Sequence, residues 1–310
     1  MAKKASKKSV NLALILICSL IVSFFGMVAL SSNGILPFKF VTFSQINEWF
    51  GISHDTSGFK AHFIDVGQAD CEMVMSDGKV LLIDSGTKEA GNKVVQYLKN
   101  HGIKKIDYFV VTHGHADHMG GAVDVMNNFE IDMLIMSDVP EDLMPTNKGY
   151  TEFLKTIGEK GLKITIAKVG TKYDLGGASF KILAPIGEYN DLNDMSIVLK
   201  VTYGNRHILF TGDAQSASEM DMLHDESDIK ADILKVGHHG SETSTTIAFL
   251  NRVDPKYAVI EVGAKNTYNH PNKRVVDRIL DKQIELYKTS TDGDIVFSIE
   301  NDNISVKKGG

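Results

Sequence analysis

The sequence has almost no cysteine, no excess of positive charge, no internal repeat and a single long apolar run. Two cysteines in 310 residues, Cys18 inside that run and Cys71 in a segment that reads as a strand, exclude a disulfide framework even for an exported chain. Cys71 reads as a buried side chain. The formal net charge is −6. Because Lys3, Lys4, Lys7 and Lys8 all precede the apolar run, the rest of the chain carries about −10, which disfavours a broad grip on nucleic acid through phosphate neutralisation. What is present, 43% hydrophobic and 23% charged residues, sits within ordinary globular bounds, so disorder is not expected.

The apolar run covers residues 10–30 and is interrupted only by Asn11, Cys18, Ser19, Ser23 and Gly26. Its length matches the ~30 Å hydrocarbon layer and predicts one transmembrane helix. A buried core helix would show a polar stripe, and none is present. Lysines before the run and none for several residues after it place residues 1–9 in the cytoplasm and the bulk of the chain outside, as a single-pass protein of the cell membrane. The competing reading is a cleaved signal peptide. Its apolar core usually spans about 7–15 residues and ends at small residues, whereas this run is longer and exits through Val28-Ala29-Leu30-Ser31-Ser32. Residues 31–58, with Pro37, Gly51, Gly58 and several aromatics, read as a membrane-proximal spacer.

From about residue 59 to 310 short Val/Ile/Phe-rich runs alternate with helical patterns, punctuated by Gly and Asp, so this part is α/β. Strands are predicted at 62–66, 71–75, 80–83, 107–112, 133–137, 164–169, 179–183, 197–203, 207–211, 233–236, 257–262, 284–287 and 295–299. Helices are predicted at 92–100, 116–127, 149–159, 216–223, 244–251 and 272–281. Consecutive strands followed by strand–helix alternation predict two sheets packed face to face with helices outside.

The chemistry concentrates in Val110-Val111-Thr112-His113-Gly114-His115-Ala116-Asp117-His118, a strand that ends in a tight turn entering a helix. Neutral imidazole and carboxylate are good ligands for zinc and other first-row divalent ions, and Gly114 and Ala116 let the backbone fold closely around an ion. Histidine is scarce, and three within six residues around an aspartate are not expected by chance.

This H-x-H-x-D-H string resembles the signature of the metallo-β-lactamase superfamily, which implies a four-layer αββα sandwich with a one- or two-metal hydrolytic site between its sheets. Phe63-Ile64-Asp65-Val66-Gly67-Gln68-Ala69-Asp70, Leu82-Ile83-Asp84-Ser85-Gly86, Phe210-Thr211-Gly212-Asp213, Leu234-Lys235-Val236-Gly237-His238-His239-Gly240-Ser241 and Asn266-Thr267-Tyr268-Asn269-His270-Pro271 further resemble the ComEC-type branch, the hydrolase domain of DNA-uptake proteins. Phosphorylcholine esterase looks like a relative.

The resemblance implies that His113 and His115 bind one divalent ion, Asp117 and His118 a second, and that Asp213 bridges them, the metal being zinc or manganese. One of His238 and His239 completes the set. If their strand continues, alternation points the two side chains apart, and His238 is taken as the ligand, with His239 either supporting a ligand from behind or beside the substrate. Many superfamily members have a further histidine where this chain reads Asn193-Asp194-Met195-Ser196, so the first site keeps two histidines, Asp213 and water. Asp84 resembles the buried aspartate that orients the metal-binding loop, against a plain turn residue. His270 resembles a position near the site, although Asn269 stands where glycine is usual and a helix entry before Pro271 fits as well. Lys235 reads as a snorkelling lysine or as a cation steadying a phosphate, and His207 as a surface histidine.

Two ions would lower the pKa of a shared water and polarise the substrate, with Asp117, His239 and His270 as the catalytic side chains and His239 or His270 protonating the leaving oxygen. The ComEC-type motifs tilt the substrate towards a phosphodiester of nucleic acid, cell wall or lipid headgroup. A lactonase or β-lactamase-type hydrolase, and a non-catalytic metal-binding ectodomain, are the rival readings. One apolar span cannot form a channel, so a role in DNA uptake would need a separate channel partner.

Overall fold

The computed structural model describes residues 58–309. The expected cytoplasmic segment, the membrane helix and all of the spacer but Gly58 lie outside the described residues. Among the described residues no helix is long and apolar enough to cross a membrane.

Strands β1 (Phe59–Phe63), β2 (Glu72–Ser76), β3 (Lys79–Ile83), β4 (Lys105–Val111), β5 (Glu130–Met136) and β6 (Ile164–Ile166) join β14 (Ile295–Glu300) and β15 (Asn303–Lys308) in an eight-stranded sheet ordered β15-β14-β1-β2-β3-β4-β5-β6. Strands β7 (Lys172–Leu175), β8 (Ala178–Ala184), β9 (Val198–Tyr203), β10 (Arg206–Phe210), β11 (Ile233–Lys235), β12 (Tyr257–Ile260) and β13 (Glu285–Lys288) form a seven-stranded sheet ordered β13-β12-β11-β10-β9-β8-β7. Both sheets are mixed. Their inner faces share one core in which Phe63 stacks on Phe210 at 5.6 Å and meets Phe297 edge-on at 5.9 Å. These rings are fully buried, and each contributes roughly 1.5–3 kcal/mol of burial.

Helices α1 (Gly91–Asn100), α2 (Ala116–Met119), α3 (Ala122–Asn128) and α4 (Lys148–Lys160) lie in the crossovers of the first sheet, and α5 (Ser216–His224), α6 (Ile247–Val253), α7 (Lys273–Leu280) and α8 (Thr289–Asp292) belong to the second half. Met222, Phe249, Val253, Val275 and Ile279 press α5, α6 and α7 against the outer face of the second sheet.

Some departures from the sequence expectation have a clear physical cause. The helix expected over 116–127 is two helices, because a carbonyl and an amide at its break serve partners outside it. His118 O accepts from Ser85 N (2.7 Å), and Gly121 N donates to Gly86 O (3.1 Å). Gly120 is required there, since a Cβ would come within 2.3 Å of Ala116 O. The helix expected from 244 starts at Ile247, where the Thr246 hydroxyl caps the Phe249 amide at 3.3 Å. Strands β7 and β15 escape a search for apolar runs because every residue of them except Leu175 is exposed or half-buried.

The site follows from strand direction. β3 runs parallel to β4, and β10 to β11 and β11 to β12, so the carboxyl ends of each set open on one edge of their sheet. The segments after Ile83, Val111, Phe210, Lys235 and Ile260 all leave from those edges. Two antiparallel pairings, β1 with β2 and β2 with β3, bring the connection containing Asp70 to the same edge.

Candidate metal centre

The 113–118 turn is held by Asp84, which is fully buried and adopts a left-handed φ of 54°. Its Oδ1 accepts the Thr112 amide (2.8 Å), and its Oδ2 accepts the Thr112 hydroxyl (2.6 Å) and Nδ1 of His118 (2.7 Å). These bonds fix protons. A carboxylate only accepts, so His118 carries a proton on Nδ1, and Nε2 is the ligand atom whenever the ring is neutral. The Thr112 hydroxyl spends its proton on Asp84, so it accepts at its contact with His113 Nδ1 (3.2 Å), and His113 likewise keeps Nε2 free. Asp84 therefore sits where the sequence reading expected a loop-orienting aspartate.

Asp213 follows Gly212, whose φ of 50° and close approach to Thr112, 3.0 Å for a notional Cβ, exclude a larger residue. The Asp213 amide donates to Ser196 Oγ (3.1 Å). Its Oδ2 lies 3.2 Å from His118 Nε2, 3.6 Å from His238 Nε2 and 3.7 Å from His239 Nε2.

The premise used to choose between the paired histidines does not hold. β11 ends at Lys235, and His238 and His239 both adopt left-handed conformations, φ 49° and 53°, in a single turn over Gly237–Gly240. The turn drives His239 inward and leaves His238 partly exposed. His239 Nδ1 donates to the Glu261 carbonyl (2.9 Å) and faces Asp70 Oδ1 (3.2 Å), while its Nε2 faces Asp117 Oδ2 (3.3 Å). Asp117, His118, Asp213 and His239 thus offer four ligand atoms within 4.8 Å of one another. His238, the ligand expected from alternation, stands at the rim of this group, and His239 stands inside it.

His113 and His115 lie beside the four. The His113 ring is 4.1 Å from that of His118, and His113 Nε2 is 3.0 Å from His115 Nδ1. The 193–196 segment, Asn193-Asp194-Met195-Ser196, supplies no imidazole to the pair. Ser196 Oγ lies 3.3 Å from His113 Nδ1, Asp194 accepts the amides of Gln215 and Ser218 (3.0 and 3.1 Å) at the start of α5, and Met195 packs with Tyr189 and Leu192.

The geometry fits a cation. Nε2 of His118, Nε2 of His239 and Oδ1 of Asp213 are buried without a hydrogen-bond partner. Nε2 of His118 faces Asp213 and Nε2 of His239 faces Asp117 at 3.2–3.3 Å, contacts that a second ring proton satisfies without metal and that a cation satisfies with the rings neutral. The electrostatics agree. Burial alone would lower the pKa of His118, yet Asp213, Asp84 and Asp70 hold it well above the usual value. His239 is pushed up to about 10 against burial by Asp213 and Asp70. Asp117, despite burial, is held down at about 2 by the His239 and His118 rings beside it. A divalent ion satisfies the same carboxylates while the rings stay neutral.

His270 lies at the mouth, its ring 5.5 Å from His238 and 6.3 Å from His239. Asn266 holds its loop, accepting the His270 and Tyr268 amides (3.1 and 3.2 Å) and donating to the His270 carbonyl (2.7 Å). Asn269 adopts φ 57°, a left-handed conformation that asparagine tolerates, which accounts for a non-glycine residue there. Burial and then His238 and His239 push His270 down to about 4, so its ring is neutral near pH 7. His207 sits at the opposite end of its strand, against Thr202 Oγ1 (3.0 Å).

Lys235 does not snorkel. It is fully buried, with Nζ on the Asp70 carboxylate and on the Gly212 carbonyl (3.0 Å). Asp70, Glu72 and Glu261 form a buried acidic group beneath the site that sequence reasoning missed. Burial, then Glu261, pushes Glu72 well up, and burial, then Asp70, pushes Glu261 up to about 8. The available signal was a charged residue inside otherwise apolar runs, Cys71-Glu72-Met73 and Ile260-Glu261-Val262.

The family model of the metallo-beta-lactamase superfamily matches residues 64–263. The chain is 30% identical over 257 residues to ComE operon protein 3 of Bacillus subtilis, covering 77% of this chain and 33% of that protein. It is 29% identical over 249 residues to competence protein ComA of Neisseria gonorrhoeae, covering 79% and 33% respectively. The chain spans about a third of the length of these curated relatives. Among solved structures it resembles CmlA, a diiron beta-hydroxylase from Streptomyces venezuelae, with a TM-score of 0.53 at 14% identity over 82% of this chain and 54% of that one. That likeness concerns the fold alone.

Proposed function

Because the chain belongs to the metallo-β-lactamase superfamily, with ComEC-type competence proteins among its homologues, we propose that it is a metal-dependent hydrolase and that it cleaves phosphodiesters. One observation carries the reading. Asp117, His118, Asp213 and His239 converge from three strand ends, with the free Nε2 atoms of both histidines aimed at carboxylates.

These four residues would hold one divalent ion, and His113 and His115, with Asp213 shared, a second. Nitrogen and oxygen donors suit zinc, and manganese also accepts such a set. When bound, the ions would supply Lewis acidity and a water of lowered pKa, sparing the protein a nucleophile of its own. Asp84 keeps the lone pair of His118 on the ligand side through its bond to Nδ1. His270, neutral and at the rim, would donate an N–H to a substrate oxygen or to the leaving oxygen. The earlier assignment of His239 as a proton donor gives way, in this reading, to a ligand role, because its Nε2 faces the cluster.

A phosphodiester is favoured over a lactam by the ComEC-type motifs and by the absence of a third imidazole in the 193–196 segment. The acidic chain speaks for a local grip on the scissile group rather than a broad one on nucleic acid. Residues 10–30 would anchor the enzyme in the cell membrane with residues 59–310 outside, where nucleic acid, cell-wall or lipid phosphodiesters are within reach, and a role in DNA uptake would require a channel partner.

The test is metal analysis of the purified chain together with hydrolysis of bis-para-nitrophenyl phosphate, single-stranded DNA and nitrocefin. Turnover of the first two with one or two ions per chain is expected. Turnover of nitrocefin alone would sink the phosphodiester reading, and full metal loading with no turnover would favour a metal-binding receptor.

A further inference from the structure

Lys235 lies in a sheet between Leu234 and Val236, all three fully buried. Its ammonium donates to the Asp70 carboxylate and to the Gly212 carbonyl (3.0 Å), and stands 4.0 Å from Asp213 Oδ1. Asp70, on the connection leaving the other sheet, turns its second oxygen to Nδ1 of His239 at 3.2 Å. One buried cation therefore touches the peptide ahead of Asp213 and reaches, through one carboxylate, the ring of His239.

As a device for holding the fold together this pair is poor. Taking two charges out of water costs more than their attraction returns unless the geometry is complete, and apolar residues of equal volume stabilise a core as well or better. The apolar neighbours of position 235 would accept methionine. What methionine lacks is a charge that holds Asp70 against His239 and keeps that carboxylate from competing for the ion.

We propose that Lys235 and Asp70 are positioning residues of the metal centre, a buried ion pair that orients His239 and the Asp213 peptide from beneath and keeps Asp70 out of the ligand set. The Glu261 carbonyl shares the His239 Nδ1 proton, so the ring is held from two sides, and Asp70 adds negative charge that raises the donor strength of Nε2. This rests on reading the cluster as a metal centre, which metal binding by the parent chain tests separately.

The experiment uses the full chain and the variants Lys235→Met, Asp70→Asn and the double variant. Zinc affinity is measured by chelator competition, the visible absorption of cobalt(II)-loaded protein reports the ligand field, and thermal melting of metal-free protein reports the fold. Each single variant is expected to bind zinc roughly 10- to 100-fold more weakly with an altered cobalt spectrum. The double variant, with both charges gone, is expected to melt no lower than the parent while keeping the weakened binding. Parental zinc affinity and cobalt spectrum in the double variant would make the pair merely structural and overturn the proposal, as would unchanged single variants or failure of all three to fold. A parent chain that binds neither ion would overturn the metal-centre reading itself.

Discussion

Nδ1 of His118 lies 2.7 Å from Oδ2 of Asp84, and both side chains are fully buried. The contact is short because it is charge-assisted. It decides on which nitrogen His118 keeps its proton, and hence whether Nε2 is a donor or a ligand.

Asp84→Asn tests that role. An amide can offer only one oxygen to the Thr112 amide, the Thr112 hydroxyl and His118, so at least one of three bonds is lost. Zinc affinity is expected to fall roughly 10- to 100-fold, with about 1–3 kcal/mol lost from the metal-free fold. Chelator competition and thermal melting check this, and unchanged affinity would show that His118 chooses its tautomer without Asp84.

His239→Ala and His238→Ala separate the paired histidines. The first removes a group whose Nε2 faces Asp117 and is expected to weaken metal binding by more than about 100-fold, beyond what outer-shell groups cost. The second removes a rim imidazole 3.6 Å from Asp213 and is expected to leave the first ion bound. The reverse ranking, read by metal content after dialysis, would restore His238 as the ligand.

The contrast shows what was legible in the sequence. The 113–118 string was readable because its ligands are local, four side chains on one turn, and most strands of the two sheets were readable from their buried apolar residues, whereas the largely exposed β7 and β15 were not. The His238/His239 choice was not, since alternation presupposes extended backbone and the chain turns left-handed at both positions. Lys235, Asp70 and Glu261 lie in separate strands and connections. Their meeting is a consequence of strand order, and a fully buried lysine is too rare for composition to suggest.

Acidity should act on the metal-free protein with a definite sign. The folded-state pKa of His239 is raised from a usual 6.5 to about 10, so its charged form stabilises the fold fully below about 6.5 and that contribution is lost as pH rises through about 10. Glu261, raised to about 8, is protonated in the fold and acts in the same direction. Melting of chelator-treated protein is expected to fall from pH 6.5 to 10. A bound ion requires neutral rings, so calorimetry in buffers of different ionisation enthalpy should show protons released on zinc binding near pH 7.5. Absence of proton release would mean the rings are neutral before metal arrives.

His270 is neutral near pH 7, pushed down to about 4 by burial and by the two histidines beside it. A hydrogen-bonding role costs about one bond when removed, so His270→Ala is expected to lower kcat/KM roughly 10-fold without changing metal content. A loss in kcat above about 100-fold, confined to substrates with poor leaving groups, would instead identify it as a general acid.

The two ions should bind unequally. Asp117, His118, Asp213 and His239 already present four ligand atoms within 4.8 Å, so the first ion enters a site whose side chains are in place. His113 and His115 are hydrogen-bonded to each other at 3.0 Å and must part to receive a second ion. Where a further imidazole would help them, Ser196 contacts His113 and Met195 is packed into an apolar cluster. Breaking one bond and supplying one ligand fewer predicts a second step at least about 10-fold weaker than the first, since a single hydrogen bond is worth about 1 kcal/mol or slightly more. Titration with zinc should resolve two steps, and His113→Ala should abolish the weaker while sparing the stronger. Loss of the stronger step in that variant would mean that the first ion sits on the histidine pair, and that the four-residue cluster is the second site to fill.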